Sequence, residues 1–419
     1  MREMKDSGME WIGKIPNTWD TDKIKYHFRR NEPRNPGDAV VLSVYREYGV
    51  IPKDSRDDNH NVTSEDTTKY KFVRKGDLVI NKMKAWQGSL AVSSYEGIVS
   101  PAYFIFNFTD STFNKRYFHY LIRSCYKDEF RRISGGIREG QWDLPAEMFV
   151  NEKVLIPPCN EQEHIVSYLD SKCSEIEALS ADIQAEIDTL EEYKKSVITE
   201  AVTKGLNPDA EMQDSKIEWV GKIPSSWNIH PIYYYFDERK AKNFALKEQN
   251  LLSLSYGKII RKDINTNGGL LPASFNTYNI VEAGDIIIRP TDLQNDKRSL
   301  RTGLVTEHGI ITSAYIALKP KNNLNSRYFH YLLHAYDVMK VFYNMGNGVR
   351  QGLNYSEFAK LMIVAPSKEE QDKIADYLDA QCNEIDTIIG EKKKQLAILD
   401  EHKKSLIYEC VTGKKEVSG

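Results

Sequence analysis

Hydrophobic residues recur at alternating steps of four and three through the stretch from Glu161 to Lys204, which contains no Gly and no Pro. A 3.5-residue period sustained over this length predicts a long helix that buries one stripe against another helix, as in a coiled coil. At a rise of 1.5 Å per residue, such a helix is roughly 60 Å long. Two polar residues, Ser180 and Lys194, interrupt the stripe. Its main apolar positions are Leu169, Ile176, Ile183, Ile187, Leu190 and Val197.

The same pattern returns near the C-terminus, where EQEHIVSYLD at Glu161 becomes EQDKIADYLD at Glu370. The second stripe is also interrupted by two polar residues, Lys392 and Lys403, and Lys403 repeats Lys194. Because the match extends to polar positions, we expect the two helices to bury their stripes against each other. The apolar positions of the second stripe are Leu378, Ile385, Ile389, Leu396, Leu399 and Leu406.

The whole chain is a tandem repeat of about 209 residues, because DSGMEWIGKIPNTW at Asp6 is answered by DSKIEWVGKIPSSW at Asp214. Between these landmarks the copies diverge, yet KGDLVINK and AGDIIIRP predict buried strands, as do IVSPAYFIF and IITSAYIAL. RYFHYL opens a helical pattern in each copy. We predict an α+β fold with a first globular domain over 1–158, a first long helix over 159–207, a second globular domain over 208–366 and a second long helix over 367–419.

Charge is distributed unevenly although the net charge is only -3. The globular parts carry a small excess of Lys and Arg, whereas the helical stretches are acidic. The small basic excess is a weak indication of nucleic-acid binding, and the acidic helices argue against DNA lying along them. Five Cys without a CxxC pair fit a reducing, cytoplasmic location, and no apolar run is long enough to span a membrane.

The motifs of common enzymes are missing from the sequence. There is no GxGxxG or GxxxxGKS phosphate loop, no HExxH, and no Asp/Asn-Pro-Pro-aromatic motif of an amino-methyltransferase. His330 and His334 are four residues apart but lack a third ligand, so we interpret them as core or surface residues rather than a metal site. The sequence therefore predicts a binding protein with no catalytic and no metal-binding residues.

The combination of EWxGKIPxxW with EQxxIxxYLD…KKSxIxExVT resembles the specificity subunit of type I restriction–modification systems, over essentially the whole chain. The resemblance implies two target recognition domains, each reading one half of a split sequence in double-stranded DNA. It further implies that the two long helices pack antiparallel, hold these domains apart and bind two modification (methyltransferase) subunits. In this family the specificity subunit supplies no catalytic residue.

The resemblance also implies which molecules act with the chain in bacterial defence. S-adenosylmethionine, ATP and Mg are expected on the partner subunits, with no cofactor bound by this chain. The modification subunits methylate adenine, and restriction subunits translocate and cut unmodified DNA. Two alternatives remain open: a coiled-coil scaffold or interaction protein that does not bind DNA, and the separate specificity half of another restriction–methylation system.

Candidate DNA contacts follow from side-chain chemistry, since cations pair with phosphates and amides pair with base edges. Each could equally be an exposed loop side chain without such a role. Arg138 and Arg350 occupy equivalent positions in the two copies, which fits either a contact or a structural role. The candidates are Lys82, Lys84, Trp86, Gln87, Arg138 and Gln141 in the first copy, and Arg289, Gln294, Lys297, Arg298, Arg301, Arg350 and Gln351 in the second.

Overall fold

The computed structural model describes residues 2–37, 39–55, 66–136, 142–264, 274–291, 300–321, 323–345 and 352–417. The chain forms two compact units, one of residues 1–183 with 394–419 and one of residues 184–393. The predicted α+β class with two long helices is confirmed. The predicted boundaries assign each helix to a segment of its own, whereas the contacts divide each helix between the two units.

The first unit is built from short strands followed by three short helices. Its central sheet is antiparallel and has the order β4-β11-β8-β9, while β5 and β6 form a separate hairpin. The strands are Met4–Asp6 (β1), Lys14–Pro16 (β2), Asp20–Lys23 (β3), Phe28–Arg30 (β4), Leu42–Tyr45 (β5), Gly49–Pro52 (β6), Lys71–Val73 (β7), Leu78–Asn81 (β8), Leu90–Val92 (β9), Gly97–Val99 (β10), Tyr103–Phe108 (β11) and Lys153–Ile156 (β12). The helices are Lys115–Cys125 (α1), Lys127–Ile133 (α2), Ala146–Asn151 (α3) and the long Cys159–Lys204 (α4).

The second unit repeats the central sheet with the order β16-β23-β20-β21, but its hairpin of β17 and β18 belongs to another four-stranded sheet of order β18-β17-β22-β19. Its strands are Met212–Asp214 (β13), Lys222–Pro224 (β14), Asn228–Pro231 (β15), Phe236–Glu238 (β16), Leu251–Ser255 (β17), Lys258–Lys262 (β18), Asn279–Val281 (β19), Ile286–Ile288 (β20), Thr302–Leu304 (β21), Gly309–Ile311 (β22), Ile316–Pro320 (β23) and Met362–Ala365 (β24). Its helices are Ile232–Tyr235 (α5), Ser326–Val338 (α6), Tyr355–Phe358 (α7) and the long Lys368–Val411 (α8). Within the described part of the chain, none of the helices is long and apolar enough to cross a membrane.

One strand prediction is wrong in both copies. IVSPAYFIF forms two strands, β10 and β11, which pair with different partners, β7 for the former and β4 and β8 for the latter. Pro101 lies between them, and proline has no amide hydrogen to donate to a strand ladder. IITSAYIAL is divided in the same way into β22 and β23. Each stretch predicted as one strand therefore forms two strands, which belong to different sheets.

The stripe predicted on α4 coincides with its buried side. Between residues 174 and 194, the residues that are not exposed are Ile176, Ser180, Ile183, Ile187, Leu190 and Lys194. Val197 and, on α8, Leu396 and Leu399 are half-buried, while Ile385 and Ile389 are buried. Leu169 and Leu406 lie in the core of the first unit and Leu378 in that of the second.

The lysines that interrupt the stripes form ion pairs between the two helices. In the second unit, Lys194 Nζ lies 2.7 Å from Asp386 Oδ1, and Lys392 pairs with Glu186. In the first unit, Lys403 Nζ lies 2.7 Å from Glu177 Oε1. In the second unit, the later residue of α4, Lys194, pairs with the earlier residue of α8, Asp386, and the earlier residue of α4 pairs with the later residue of α8. The two helices are therefore antiparallel there.

Each globular part is fastened to both helices by the residues of the repeated motifs. In the first unit, Trp19 Nε1 donates to Glu161 Oε2 at 2.9 Å, and the Tyr117 hydroxyl donates to the carbonyl of Val411 at 3.0 Å. The second unit repeats both bonds. There Trp227 Nε1 donates to Glu370 Oε1 at 3.1 Å, and the Tyr328 hydroxyl donates to the carbonyls of Val364 at 3.2 Å and Val202 at 3.4 Å.

The buried stripe predicts the effect of a charge placed on it. We expect Ile187→Asp to lower the free energy of unfolding by about 3 kcal/mol or more, because Ile187 is only 1% exposed and the new carboxylate would lie between the helices. Ala185→Asp adds the same charge at an exposed position of the same helix and serves as the control. Urea unfolding monitored by circular dichroism measures both; equal midpoints for the two variants would contradict the pairing.

Candidate nucleic-acid interface

The loop that follows β8 carries four of the predicted contact residues of the first unit. Lys82 Nζ lies 3.0 Å from Asp143 Oδ2, so this lysine is already paired with a carboxylate. Trp86 is half-buried, and its ring centroid lies 5.5 Å from that of Trp142. Lys84 is exposed to solvent. Of these three, Lys84 is therefore best placed to meet a phosphate.

The fourth residue, Gln87, joins this loop to the hairpin of β5 and β6, because Arg46 donates to its side-chain oxygen. The hairpin tip is in turn held by Arg123 of α1. Arg123 Nη1 donates to the carbonyl of Leu90 at 3.0 Å, and Nη2 donates to the carbonyls of Glu47, at 3.1 Å, and Arg46. Burial lowers the pKa of Arg123, but a guanidinium remains charged at neutral pH. One half-buried guanidinium thus fixes the backbone of the tip.

A cavity of about 280 Å³ lies between the hairpin and the loop. Its polar lining combines two amines with amides and hydroxyls, which are the groups that pair with phosphates and base edges. Burial raises the pKa of Tyr103, so its hydroxyl remains protonated and can donate a hydrogen bond. The polar lining residues include Ser43, Lys53, Asn81, Lys84, Gln87 and Tyr103.

In the second unit, the candidate Arg301 is wrong as a direct DNA contact because it is completely buried. Its Nη1 donates to the carbonyl of Thr291 at 2.5 Å, and its backbone amide donates to Asp337 Oδ2 at 2.5 Å. The carbonyl of Arg301 accepts from the amide of Arg289 at 2.8 Å, and Arg289 itself is half-buried. Arg301 therefore bonds to the described residues that come just before the segment 292–299.

Several candidates lie outside the described residues. Gln294, Lys297 and Arg298 belong to the segment 292–299, while Arg138 and Gln141 belong to 137–141, and Arg350 and Gln351 to 346–351. These seven residues stay predictions.

The histidines of the RYFHYL helices do not supply positive charge to this interface. Burial lowers the pKa of His119, His330 and His334 to about 4, so all three are neutral at pH 7. Across the residues that the structure describes, no group of three or more His, Cys, Asp or Glu side chains could hold a metal ion.

Sequence reasoning missed Arg46 and Arg123. Arg123 did give a signal in the sequence, because this cation directly follows the apolar residues Leu121 and Ile122 in a predicted helix. Arg46 gave none, since its partner Gln87 is 41 residues away in the sequence.

A family model described as the type I restriction modification DNA specificity domain matches residues 22–189 and 303–397 of this chain. Two proteins of Methanocaldococcus jannaschii are similar over nearly their full lengths. The MjaX type I restriction enzyme specificity subunit is 23% identical, and the alignment covers 97% of this chain and 96% of the length of that subunit. The MjaVIII type I restriction enzyme specificity subunit is 22% identical, and the alignment covers 96% of this chain and 94% of the length of that subunit.

Two solved structures share the fold. A chain from a type I R-M system, solved to describe its complex assembly and conformational transition, aligns with a TM-score of 0.68 at 14% identity, covering 96% of this chain and 99% of that one. The HsdS subunit of Thermoanaerobacter tengcongensis aligns with a TM-score of 0.50 at 14% identity, covering 96% of this chain and 98% of that one.

The role of Arg123 can be tested by removing its donors while keeping its bulk. We expect Arg123→Met to speed hydrogen exchange at the amides of residues 46–49 by about tenfold or more, because the carbonyls that it binds lose their donor. Arg116→Met on the same helix removes a largely exposed ion pair with Asp170 and should leave these amides unchanged. Unchanged exchange in Arg123→Met would show that the tip is held by other contacts.

Proposed function

Because the chain belongs to the type I restriction modification DNA specificity family, we propose that it selects the DNA target of a type I restriction–modification enzyme, each globular part reading one half of a bipartite sequence. The observation that supports this proposal is that the two units repeat the same framework but carry loops of different sequence. Both units repeat the same tryptophan and tyrosine bonds to the helices. Yet NKMKAWQG follows β8, whereas RPTDLQND follows β20. Unlike half-sites require unlike side chains on a common support.

In this proposal the paired helices set the length of the unread spacer and bind two modification subunits. Their ion pairs and buried stripes support a fixed register. Their acidic character suits contact with protein partners better than contact with DNA.

The chain itself contributes no catalytic group to the reaction. S-adenosylmethionine is bound by the modification subunits, and ATP and Mg are used by the restriction subunits, in the compartment that holds the DNA. What this chain supplies is selection of the site, through contacts to phosphates and base edges.

The test is to purify this chain with the modification subunits from its own genome and map the adenines that they methylate. We expect a bipartite sequence with an unread spacer, and no methyl transfer by this chain alone. A contiguous target would refute the division of labour between the two units. Methyl transfer by the chain alone would refute its non-catalytic role.

Spacer length provides a second prediction. Inserting the same four residues after Ile183 and after Lys393, where the two units divide, adds about 6 Å of helix to each partner. That length approaches two base-pair steps of about 3.4 Å. We therefore expect both half-sites to persist with a spacer longer by one or two base pairs, measured by mapping methylated adenines. Altered half-sites with an unchanged spacer would assign specificity to the helices instead.

A further inference from the structure

The two hairpins beside the candidate loops end in the same dipeptide. Tyr48-Gly49 closes the loop between β5 and β6, and Tyr256-Gly257 joins β17 to β18. Both glycines adopt the left-handed conformation, with φ of 72° and 77°. The tyrosine side chains are largely exposed, 54% for Tyr48 and 86% for Tyr256. The two tips share the residue types, the left-handed glycine and an exposed tyrosine, although the first loop has three residues between Tyr45 and Gly49 and the second has two.

Tyr256 occupies a place where a tyrosine is conformationally unfavourable. Ser255 pairs with Lys258, so the hairpin loop is only Tyr256 and Gly257, and both have positive φ. Such loops favour Asn-Gly, because a side chain other than that of Gly, Asn or Asp is strained in the left-handed region. Tyr256 has a φ of 46°. A strained, exposed aromatic side chain is a reason to look for a binding role.

Both tips lie next to the segments that carry the candidate contacts. In the first unit, Arg46 of the tip donates to Gln87 of the loop after β8. In the second unit, a Cβ added to Gly257 would lie only 2.9 Å from Leu300 Cδ1, and Leu300 is the first described residue after the segment 292–299. The first tip therefore contacts the candidate loop of its unit, and the second tip lies against the residue that directly follows the candidate segment of its unit.

The charges around the tips favour DNA over a protein partner. Lys258, Arg261 and Lys262 on β18 are exposed, although Arg261 pairs with Glu307. Lys84 is exposed beside the first tip. Amines at this spacing can hold phosphates while an aromatic ring makes apolar contact with a base in the groove of the duplex.

We propose that Tyr48 and Tyr256 are a matched pair of DNA contacts, one for each half-site, whose rings pack against a base of the target. This inference rests on the proposed function. Each tyrosine anchors its hairpin on the duplex, and the neighbouring loop then reads base edges from a fixed position. The contact is apolar, so it adds affinity without adding a phosphate contact.

The test uses the complex of this chain with its modification subunits and a duplex that carries the mapped target. Tyr256→Asn removes the ring while placing the residue that the turn prefers, so a loss of affinity cannot be attributed to a disrupted hairpin. We expect Tyr256→Asn and Tyr48→Asn each to weaken binding by about tenfold or more, measured by fluorescence anisotropy. Tyr256→Phe should bind like the wild type.

Three controls separate this contact from other roles. Tyr95→Asn, at an exposed tyrosine in the turn between β9 and β10, should not change affinity. The slope of log affinity against log salt should stay unchanged, whereas loss of a phosphate contact would reduce it. The effect of Tyr256→Asn should vanish when the half-site read by the second unit is scrambled, and persist when the other half-site is scrambled.

Wild-type affinity in both asparagine variants would overturn the proposal while leaving the bipartite reading intact. Weaker assembly with the modification subunits, at unchanged DNA affinity, would overturn it in favour of a protein contact. Failure of the wild-type complex to prefer the target duplex would refute the proposed function and this inference together.

Discussion

The antiparallel pairing of α4 and α8 is the constraint on which the rest of the structure depends. An apolar stripe alone allows one helix to slide along the other by whole turns. The lysines within the stripes restrict this freedom, because a shifted register would separate Lys194 from Asp386 and Lys403 from Glu177. The carboxylates of these pairs are exposed to solvent, so each pair adds little stability, and its main effect is to favour one register.

A fixed register determines which helix end reaches each globular core. In the first unit the core includes Leu169 near the start of α4 and Cys410 near the end of α8. The second core likewise includes Val202 and Leu378. Each core thus includes residues of both helices, so within each unit the sheet packs on the helix segments that the unit contains. The buried tyrosine hydroxyls of α1 and α6 fix these short helices against the long ones, because each donates to a carbonyl at the C-terminal end of a long helix.

Features that depend on periodicity or duplication could be predicted from the sequence, whereas features that depend on tertiary contacts could not. The long helices, their stripes and the buried strands after Gly-Asp each produce a regular pattern over neighbouring residues. Arg301 gave no such signal, because its partner Asp337, which accepts from its backbone amide, is 36 residues away. The turn at Pro101 was missed because the strands on either side share one apolar run. The Tyr-Gly tips become recognisable only when exposure and φ are known.

In each unit, the residues that hold the backbone near the candidate loop are not the residues whose side chains the loop presents. Arg123 in the first unit, which is half-buried, and Arg301 in the second, which is fully buried, both bind backbone carbonyls. Carbonyl groups are the same whatever side chain a loop carries, so the loop can change its outward residues without losing these bonds. The backbone beside each candidate loop is thus held by the framework, while the side chains of the loop remain free to differ. Two units with one architecture can therefore present different chemistry to DNA, which is what a bipartite target with unlike halves requires.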